Sequence, residues 1–467
     1  MRKLLKWSLY TFSALLLIVA LILVFSISKV DKTPYFETEY YSSTIKDLNT
    51  VLSETNETKG DFKAGFGKVN ITPEISFGKE DPKNGVFKAV PMAGFSDSGE
   101  SAIGAHDSVF VKAVAMKINN KLVVMVSSDM LLMPPEVVEK VTNLLKPSGL
   151  TRDQIYFGAT HTHSSVGSWS PGLIGEKSAG KYQTEIVSWL AAKFTKAILN
   201  AVSDIRLAKV GSANFHAPEF IRNRMTETGR LNDIFSFVSI EQIDGKRAVI
   251  GSFSAHATVL GSWNTEFSGD YPGYFQRKIE AEGVDLALFY AGSVGSHTNS
   301  GEGSRFEKAQ IIGESLADSV LQNIDYTKLE TEITFSNLTT EIQIPKLQLI
   351  RLTKNRRLSH KVGEMLLPKI DQTYIQAIKI NDLIWITQPC ELSGEFALEL
   401  SNSLKNAGYN SMITSFNGQY LGYVVPTKYY YFDSYETSLM SWYGPSMGDY
   451  IMELNYTICN SLTGVKL

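Results

Sequence analysis

The sequence predicts an α/β fold with mixed β-sheets and flanking helices, preceded by one N-terminal transmembrane helix. Apolar, β-branched runs such as SVFVKAVAMKI and KLVVMVSSD are typical of strands, whereas PEVVEKVTNLLK and TEIVSWLAAKFTKAILNAV carry apolar residues at helical spacing. Later strands such as FSFVSIEQI, RAVIGSFSA and LIWITQP alternate less regularly with helices. A purely parallel sheet is therefore not assured, and mixed sheets are expected.

Composition sets the outer bounds. The chain has 467 residues, of which 43% are hydrophobic and 20% charged, as expected for one large or two ordinary folded domains. The net charge of −3 argues against a nucleic-acid partner, because phosphates favour clustered Lys and Arg. The two cysteines, Cys390 and Cys459, allow at most a single bridge and no disulfide framework.

The N-terminus contains an uncharged run of 22 residues, from 7 to 28, which is long enough to span a bilayer core of about 30 Å. Basic residues within the preceding tail, residues 1–6, favour a cytoplasmic N-terminus. A signal peptide is the alternative, but the run exceeds the usual roughly 7–15 apolar residues and lacks a clear small-x-small site. The sequence thus predicts a membrane-anchored protein whose catalytic domain is extracytoplasmic.

Two further segments follow the predicted anchor. Residues 29–61 are polar and are expected to form a spacer with one short helix. The composition changes at FKAGFGKVNITPE, so the folded domain is expected to cover residues 62–467. We find no repeat with a period of 20–50 residues and no low-complexity segment.

His161 and His163, in GATHTHSSVG, come directly after the apolar run QIYF. In an extended segment, side chains at i and i+2 point to the same side, so both rings could face one cavity. Imidazole is a common zinc ligand. The alternative is a pair of strand-end histidines that only make hydrogen bonds, and no Asp-His pair follows as in metallo-β-lactamase sites.

Other strand ends carry polar residues of the same kind. If the ends converge on one rim, they could gather these groups. Each residue alone is also explained as a cap or turn residue, so the hypothesis depends on the combination. The residues are Asp129, His256, Asp270 and Glu391.

These stretches resemble the neutral, non-lysosomal ceramidases. GKVNITP resembles the family's strand ending in DITGP, and GATHTHSSVG is similar to ATHTHSGPGG. IRNR is similar to INRS, and FSAHATVLGSWNTEFSGDYPGY to FAVHGTSM…SGDNKGY. QPCELSGEFALEL is similar to VPGEFTTMAGRRL, and SYETSLMSWYGP to RYEGASTLFGP. The matches run in order from about residue 62 to 450.

The resemblance implies a zinc amidase that hydrolyses ceramide, or a related N-acyl lipid, to a fatty acid and an amine. His163 would be the acid/base partner, since the leaving nitrogen must be protonated. Arg224, of IRNR, would be a polar orienting group. The implied zinc ligands are His161, His256, Glu391 and Tyr435.

Two departures from the family stand out. Where the family has GDVSPN, this chain reads GSVGSHTNSG, with Ser296 in place of Asp and Thr298 in place of the reactive Ser. Thr298 could keep the hydroxyl role, and Ser296 or His297 are alternatives. The sequence also ends at Leu467, where the family usually continues into a β-sandwich.

Two further features bear on the substrate. Trp169, Leu173 and Ile174 could line an apolar entrance or simply pack in the core. The basic stretch RLTKNRRLSHK, residues 351–361, could contact anionic lipid headgroups or be an ordinary solvated loop or helix face. A zinc esterase or amidase acting on another substrate, and a non-catalytic lipid- or partner-binding protein, are the alternative functions.

Overall fold

The main elements of the fold form three successive units with the same order of elements. The computed structural model describes residues 2–95, 101–367, 370 and 373–467. Each unit contains three strands, a helix, a fourth strand and a second helix. No repeat with a period of 20–50 residues appears in the sequence, because each unit is longer than 50 residues.

The bounds of the repeated elements are as follows. The first unit has strands Thr58–Asn70, Phe110–Ile118, Lys121–Ser128 and Ile155–Ala159, and helices Pro135–Leu145 and Thr184–Ser203. The second has strands Arg206–His216, Ile234–Gln242, Arg247–Phe253 and Leu286–Ala291, and helices Asp270–Ala281 and Arg305–Ile324. The third has strands Glu332–Glu341, Tyr374–Ile380, Leu383–Thr387 and Asn410–Thr414, and helices Gly394–Asn406 and Met447–Thr463.

Further helices and strands accompany the repeated elements. The additional α-helices are Arg2–Ser26, Glu39–Glu54, Leu173–Ala179, His360–Leu366 and Tyr435–Ser438. The short strands are Ile27–Lys29, Glu74–Ile75, Val86–Phe87, Met92–Ala93, Gly104–Ala105, Ser165–Val166, Ile221–Asn223, Glu266–Phe267, His297–Asn299, Arg351–Thr353, Arg356–Leu358, Glu391–Leu392 and Tyr423–Val424.

The twelve repeated strands form one mixed sheet, as the sequence predicts. In each unit the second and third strands pair antiparallel, and the third and fourth pair parallel. The first strands meet, because Thr58–Asn70 pairs with both Arg206–His216 and Glu332–Glu341. The parallel pairs place the carboxyl ends of two strands side by side in every unit, and this is where α/β sheets hold their sites.

The inner faces of the three units share one core, whereas their helices cover the outer faces. Phe62, Tyr156, Tyr290 and Trp385, drawn from all three units, are fully buried together. Strands covered on both faces carry near-continuous apolar runs, which explains why KLVVMV does not alternate. The sheet is therefore packed on both faces, and the loops that follow its strands begin at positions fixed by this packing.

The N-terminal segment forms a helix, Arg2–Ser26, over most of the predicted anchor. Trp7 and Phe25 are both more than 70% exposed. The side chains of several anchor residues, including 18–23, lie outside the described residues. Among the described residues, no helix combines the length and the apolar character needed to cross a membrane. The predicted transmembrane helix over residues 7–28 is therefore not supported by the structure.

Part of the predicted spacer packs onto the third unit. Its expected short helix is Glu39–Glu54, in which Thr44 and Leu48 are buried. The Tyr450 hydroxyl donates to Thr44 Oγ1 at 2.8 Å, which ties this helix to the last helix of the chain. The two cysteines are both buried and free, so the possible bridge between them is not formed.

Candidate metal centre

His161 follows the fourth strand of the first unit and has a left-handed backbone, with φ of +66°. This conformation is uncommon for a residue other than glycine, so surrounding contacts must hold it. The His161 amide donates to Met130 O at 3.0 Å, and Nδ1 hydrogen bonds to Leu131 O at 2.6 Å. Phe416 stacks on the ring at 4.6 Å. These contacts fix the ring and leave Nε2 as its free nitrogen.

His256, after the third strand of the second unit, presents the matching nitrogen. Its Nδ1 hydrogen bonds to Val294 O at 3.1 Å, and its Nε2 lies 2.8 Å from His161 Nε2. Carbonyls only accept, so both rings carry their proton on Nδ1 and point Nε2 lone pairs at each other. Burial, with help from the Arg224 charge, holds the pKa of His256 well below its usual range. A bound cation resolves the lone-pair repulsion better than an extra proton.

Glu391 brings a carboxylate to the same point from the third unit. Its Oε2 lies 3.6 Å from His161 Nε2 and 3.5 Å from His256 Nε2. Within the described residues this buried oxygen has no hydrogen-bond donor, whereas Oε1 accepts from the Tyr420 hydroxyl at 2.6 Å. Two imidazole nitrogens and one carboxylate oxygen form a donor set that zinc takes. The residues therefore fit a metal ion on the structure's own geometry.

His163 faces the same cluster, as the i, i+2 spacing predicts. One ring nitrogen from each of His161, His163 and His256 lies within 4.8 Å of the others. In the described part of the chain, neither His163 nitrogen makes a hydrogen bond of ordinary geometry. Burial, then the neighbouring His161 and Arg224 charges, lowers the pKa of His163 well below its usual range. A Cβ on Gly94 would lie 2.5 Å from His163 Nδ1, so only glycine fits beside this ring.

Tyrosine and arginine side chains complete the wall. The Tyr423 hydroxyl lies 3.3 Å from His256 Nε2 and accepts from Arg224 Nη2 at 3.0 Å. Arg224 Nε is held by Glu436 Oε1 at 2.6 Å. Tyr435 lines the cavity and packs edge-on against Tyr423, with 6.0 Å between ring centroids. Tyr423 is thus the tyrosine that reaches the histidines.

Sequence reasoning missed both Tyr420 and Tyr423. They lie in QYLGYV, between the predicted ligands Glu391 and Tyr435, and three tyrosines in YYY compete nearby. No spacing rule separates a cavity tyrosine from a packed one. Their place on the chain between two predicted ligands was the sole available signal.

Ser296 and Thr298 do not line the cavity with the histidines. His297 Nε2 accepts from the Asn232 amide at 3.0 Å, so its proton sits on Nδ1 and donates to Ser296 Oγ at 2.7 Å. The Gly394 amide also donates to Ser296 Oγ, at 3.0 Å. His297 therefore has no lone pair with which to activate Ser296. Both predicted hydroxyls lie beside the metal cluster without reaching its cavity.

The two strand-end aspartates are structural. Asp129 accepts from the Phe110 amide at 2.9 Å and from Gln276 Nε2 at 2.7 Å. Asp270 begins the helix Asp270–Ala281 with φ of +52° and accepts from the Leu260 amide at 2.9 Å. Their oxygens are satisfied within the protein, which is the cap-or-turn alternative. The convergence predicted for strand ends is realised by His161, His256 and Glu391.

Two adjoining cavities lead to the cluster. The inner cavity, about 140 Å³, is lined by His161, His163 and Glu391. The outer cleft, about 310 Å³, shares several walls with the inner cavity. Trp169 lines both and Ile174 lines the inner one, while Leu173 is 68% exposed and lines neither. The shared lining residues are Leu132, Trp169, Ser170, Leu367, Tyr420 and Trp442.

Comparison with known proteins identifies the relatives of this fold. A sequence model of the family described as neutral/alkaline non-lysosomal ceramidase, N-terminal, matches residues 74–304. The crystal structure of neutral ceramidase from Pseudomonas aeruginosa matches with a TM-score of 0.70 and 17% identity, covering 88% of this chain and 76% of that chain. A structure described as ceramidase complexed with C2 matches with a TM-score of 0.70 and 16% identity, covering 87% and 76%. The resemblance to the neutral ceramidase family is therefore confirmed, in sequence over residues 74–304 and in fold over most of the chain.

Proposed function

We propose that this protein is a zinc-dependent amide hydrolase of the neutral ceramidase type, acting on N-acyl sphingosine or a related N-acyl lipid. The observation that carries the proposal is the pair of Nε2 atoms of His161 and His256, 2.8 Å apart beside the unpartnered oxygen of Glu391. A bound cation would satisfy these three buried atoms together. The family match adds the reaction class.

His161, His256 and Glu391 would hold the ion, and Tyr435 is the fourth candidate ligand. When bound, zinc supplies Lewis acidity, which polarises an amide carbonyl and makes a water molecule a better nucleophile. The protein's own contribution is to hold the rings and the carboxylate in place through Leu131 O, Val294 O and Tyr420. Such outer contacts orient ligands and tune their basicity.

His163 and Arg224 are assigned separate tasks. His163 has a ring nitrogen free to carry a proton to the leaving amine, which an amide needs for cleavage. Arg224 fixes the Tyr423 hydroxyl next to His256 and keeps a positive charge at the cavity wall. Ser296 is assigned no chemical step, because its oxygen is committed to Gly394 and His297. Thr298 is half-buried and lies outside the cavity lining.

An N-acyl lipid suits the shape and chemistry of the two cavities. The outer cleft is bounded by Leu132, Trp169, Leu347 and Trp442, which favour an alkyl chain. The candidate metal ligands His161, Glu391 and Tyr435 line the inner cavity and not the cleft, so a lipid amide could reach the cluster while its chain stays in the cleft. The extracytoplasmic position of the domain remains part of the proposal, and reporter fusions after residue 60 test it.

The experiment pairs metal analysis with substrate comparison. The purified protein should contain about one zinc and hydrolyse N-acyl sphingosine, whereas His161→Ala and His256→Ala proteins should lose both zinc and activity. Full zinc in both variants would refute the ligand assignment. Turnover of simple esters without turnover of N-acyl amides would favour the esterase alternative, and lipid binding without any turnover would favour a non-catalytic protein.

A further inference from the structure

The basic stretch of residues 351–361 folds into a small three-stranded sheet. Arg351–Thr353 and Arg356–Leu358 form a hairpin, and Ile27–Lys29 adds a third antiparallel strand to its edge. We call these three strands the basic hairpin sheet. It lies directly after the N-terminal helix and directly before the helix His360–Leu366.

Two of its arginines are buried and serve the fold. Arg357 Nη1 donates to Leu347 O at 2.9 Å and to Leu358 O at 2.8 Å. Arg351 Nη2 donates to Phe432 O at 2.5 Å and to Ser438 Oγ at 3.0 Å. These contacts anchor the hairpin to the third unit, so the remaining basic side chains are presented on a fixed support.

Three further basic residues of this region are exposed and form no ion pair with a described residue. Lys29 and Arg356 are directly opposite each other in the strand register, and both are exposed, as is Lys354. Like charges facing each other across strands destabilise a sheet. In the described part of the chain none of these three forms an ion pair, and Asp433, 3.5 Å from Arg351, is engaged by a buried arginine. The arrangement suits an external anion.

Exposed apolar side chains accompany these cations. Leu352 is 46% exposed on the hairpin and Met365 is 79% exposed on the following helix. That helix packs closely on the preceding segment, since a Cβ on Gly363 would touch Leu347 and Leu349 at 3.4–3.5 Å. Cations beside exposed apolar groups are typical of surfaces that lie on an anionic bilayer.

Residues that flank the hairpin in sequence line the outer cleft. Lys346 and Leu347, just before the hairpin, line the cleft, as do Glu364 and Leu367 just after it. A bilayer that touched the hairpin would therefore meet the opening of the apolar cleft. Soluble acidic proteins would satisfy the charges, but they would leave the exposed Leu352 and Met365 unexplained.

We propose that the basic hairpin sheet docks on an anionic phospholipid bilayer and turns the mouth of the outer cleft towards it. Lys29, Lys354 and Arg356 contact headgroup phosphates and carboxylates, and Leu352 and Met365 enter the boundary with the acyl chains. Docking needs neither zinc nor turnover, so vesicle binding tests it independently of the proposed hydrolysis.

The test measures partitioning of the full chain onto phosphatidylcholine vesicles with and without phosphatidylserine. Lys354→Ser/Arg356→Ser should lose roughly 25-fold of the preference for phosphatidylserine, because each basic residue near an anionic surface contributes about fivefold. Added salt should weaken wild-type binding to the same vesicles. Binding to pure phosphatidylcholine, which reports any contribution of the apolar N-terminal helix, should be unchanged.

The matched control removes the same number of charges elsewhere, from the exposed Lys196 and Lys405 on outer helices. Lys196→Ser/Lys405→Ser should keep the wild-type preference. A hairpin variant that binds phosphatidylserine as wild type does, or a control that loses as much as the hairpin variant, would overturn the proposal. Unchanged thermal unfolding of both variants checks that the fold is intact.

Discussion

Two buried polar clusters, one around His161 and His256 and one around His297, differ in how their polar atoms are satisfied. His297 has both nitrogens in hydrogen bonds, to the Asn232 amide and to Ser296 Oγ. His161 and His256 instead aim their Nε2 atoms at each other, 2.8 Å apart. Buried polar groups in folded proteins are normally paired. A buried cluster whose polar atoms lack hydrogen-bond partners therefore indicates a ligand site. A cluster whose polar atoms are all hydrogen bonded has a structural role.

The same contrast separates two acids that follow strands of the large sheet. Asp129 and Glu391 each follow the third strand of their unit. Both Asp129 oxygens accept hydrogen bonds, from Phe110 and Gln276. Glu391 leaves Oε2 without a donor within the described residues. Position in the fold thus brings acids to the rim, and local hydrogen bonding decides which acid is available for a metal.

The largest expected effect follows from removing one ring of the unpaired cluster. His256→Ala should lose bound zinc and lower turnover roughly a thousandfold or more, because metal catalysis contributes several kcal/mol. His297→Ala is the matched control and should keep its zinc. Metal analysis and hydrolysis rates measure both, and equal zinc loss in the two variants would remove the distinction between the clusters.

The acids provide the second contrast. Glu391→Gln should weaken zinc affinity by more than the roughly 10–100-fold typical of changes in outer contacts, since it removes a charged ligand. Asp129→Asn should keep zinc affinity near wild type while lowering the unfolding temperature. Competition with a chelator reports affinity. Unchanged affinity in Glu391→Gln would mean that the carboxylate is structural.

Residues that hydrogen bond to a metal ligand, without binding the metal themselves, are expected to have weaker effects on zinc affinity and activity. Tyr420→Phe removes the hydrogen bond to Glu391 Oε1 and should lower zinc affinity or activity about 10–100-fold. Tyr443→Phe, at a buried tyrosine that lines only the outer cleft, is the control and should change zinc affinity little. Wild-type affinity in both variants would show that Glu391 is oriented without Tyr420.

Ser296→Ala tests the satisfied cluster. It leaves the Gly394 amide and His297 Nδ1 without their acceptor, which should lower the free energy of unfolding by about 1–3 kcal/mol. Activity of the folded fraction should stay near wild type. Thr298→Ala, at a half-buried position, should cost less stability. A large loss of turnover at full stability would return Ser296 to a chemical role.

A separate effect, on stability alone, is a pH dependence at Asp270. Burial raises the pKa of this carboxyl from 3.8 to about 7, so folding favours its protonated form. Its stabilising contribution is complete below about pH 4 and is lost as pH rises through 7. Asp270→Asn should therefore flatten the fall in unfolding free energy between these pH values. The exposed control Asp47→Asn should keep the wild-type slope, and an unchanged slope in Asp270→Asn would contradict the assignment.

The sequence indicated which strand ends carry the candidate metal ligands. The alternation of apolar and polar residues and the order of strands and helices can both be read from residues close together in the chain. His161 and His163 lie in one cavity, but with a left-handed backbone at His161 instead of the extended backbone on which the prediction rested, and the ends of the sheet's strands bring His256 and Glu391 to them. The role of the Ser296 hydroxyl could not be predicted in the same way. Its availability depends on the tautomer of His297, which the distant Asn232 amide sets, and no local pattern reports a contact over that separation.

The threefold order of elements and the packing of the N-terminal part were equally hidden. The three units have the same order of strands and helices but no common residue pattern, so no period appears in the sequence. The helix Glu39–Glu54 is largely polar, yet Leu48 and Thr44 are buried because the third unit offers Tyr450 as a partner. Tertiary partners rather than local propensity decide such segments.

X-ray absorption at the zinc edge tests the central claim most directly, because it counts the imidazoles bound to the metal. The zinc-loaded wild-type protein should show two or more imidazoles with nitrogen at about 2.0–2.1 Å, and His161→Ala, which is purified without zinc and reconstituted with excess zinc, should show at least one fewer. The His297→Ala spectrum should match wild type. A wild-type spectrum with no imidazole scattering, or one altered by His297→Ala and not by His161→Ala, would contradict the account.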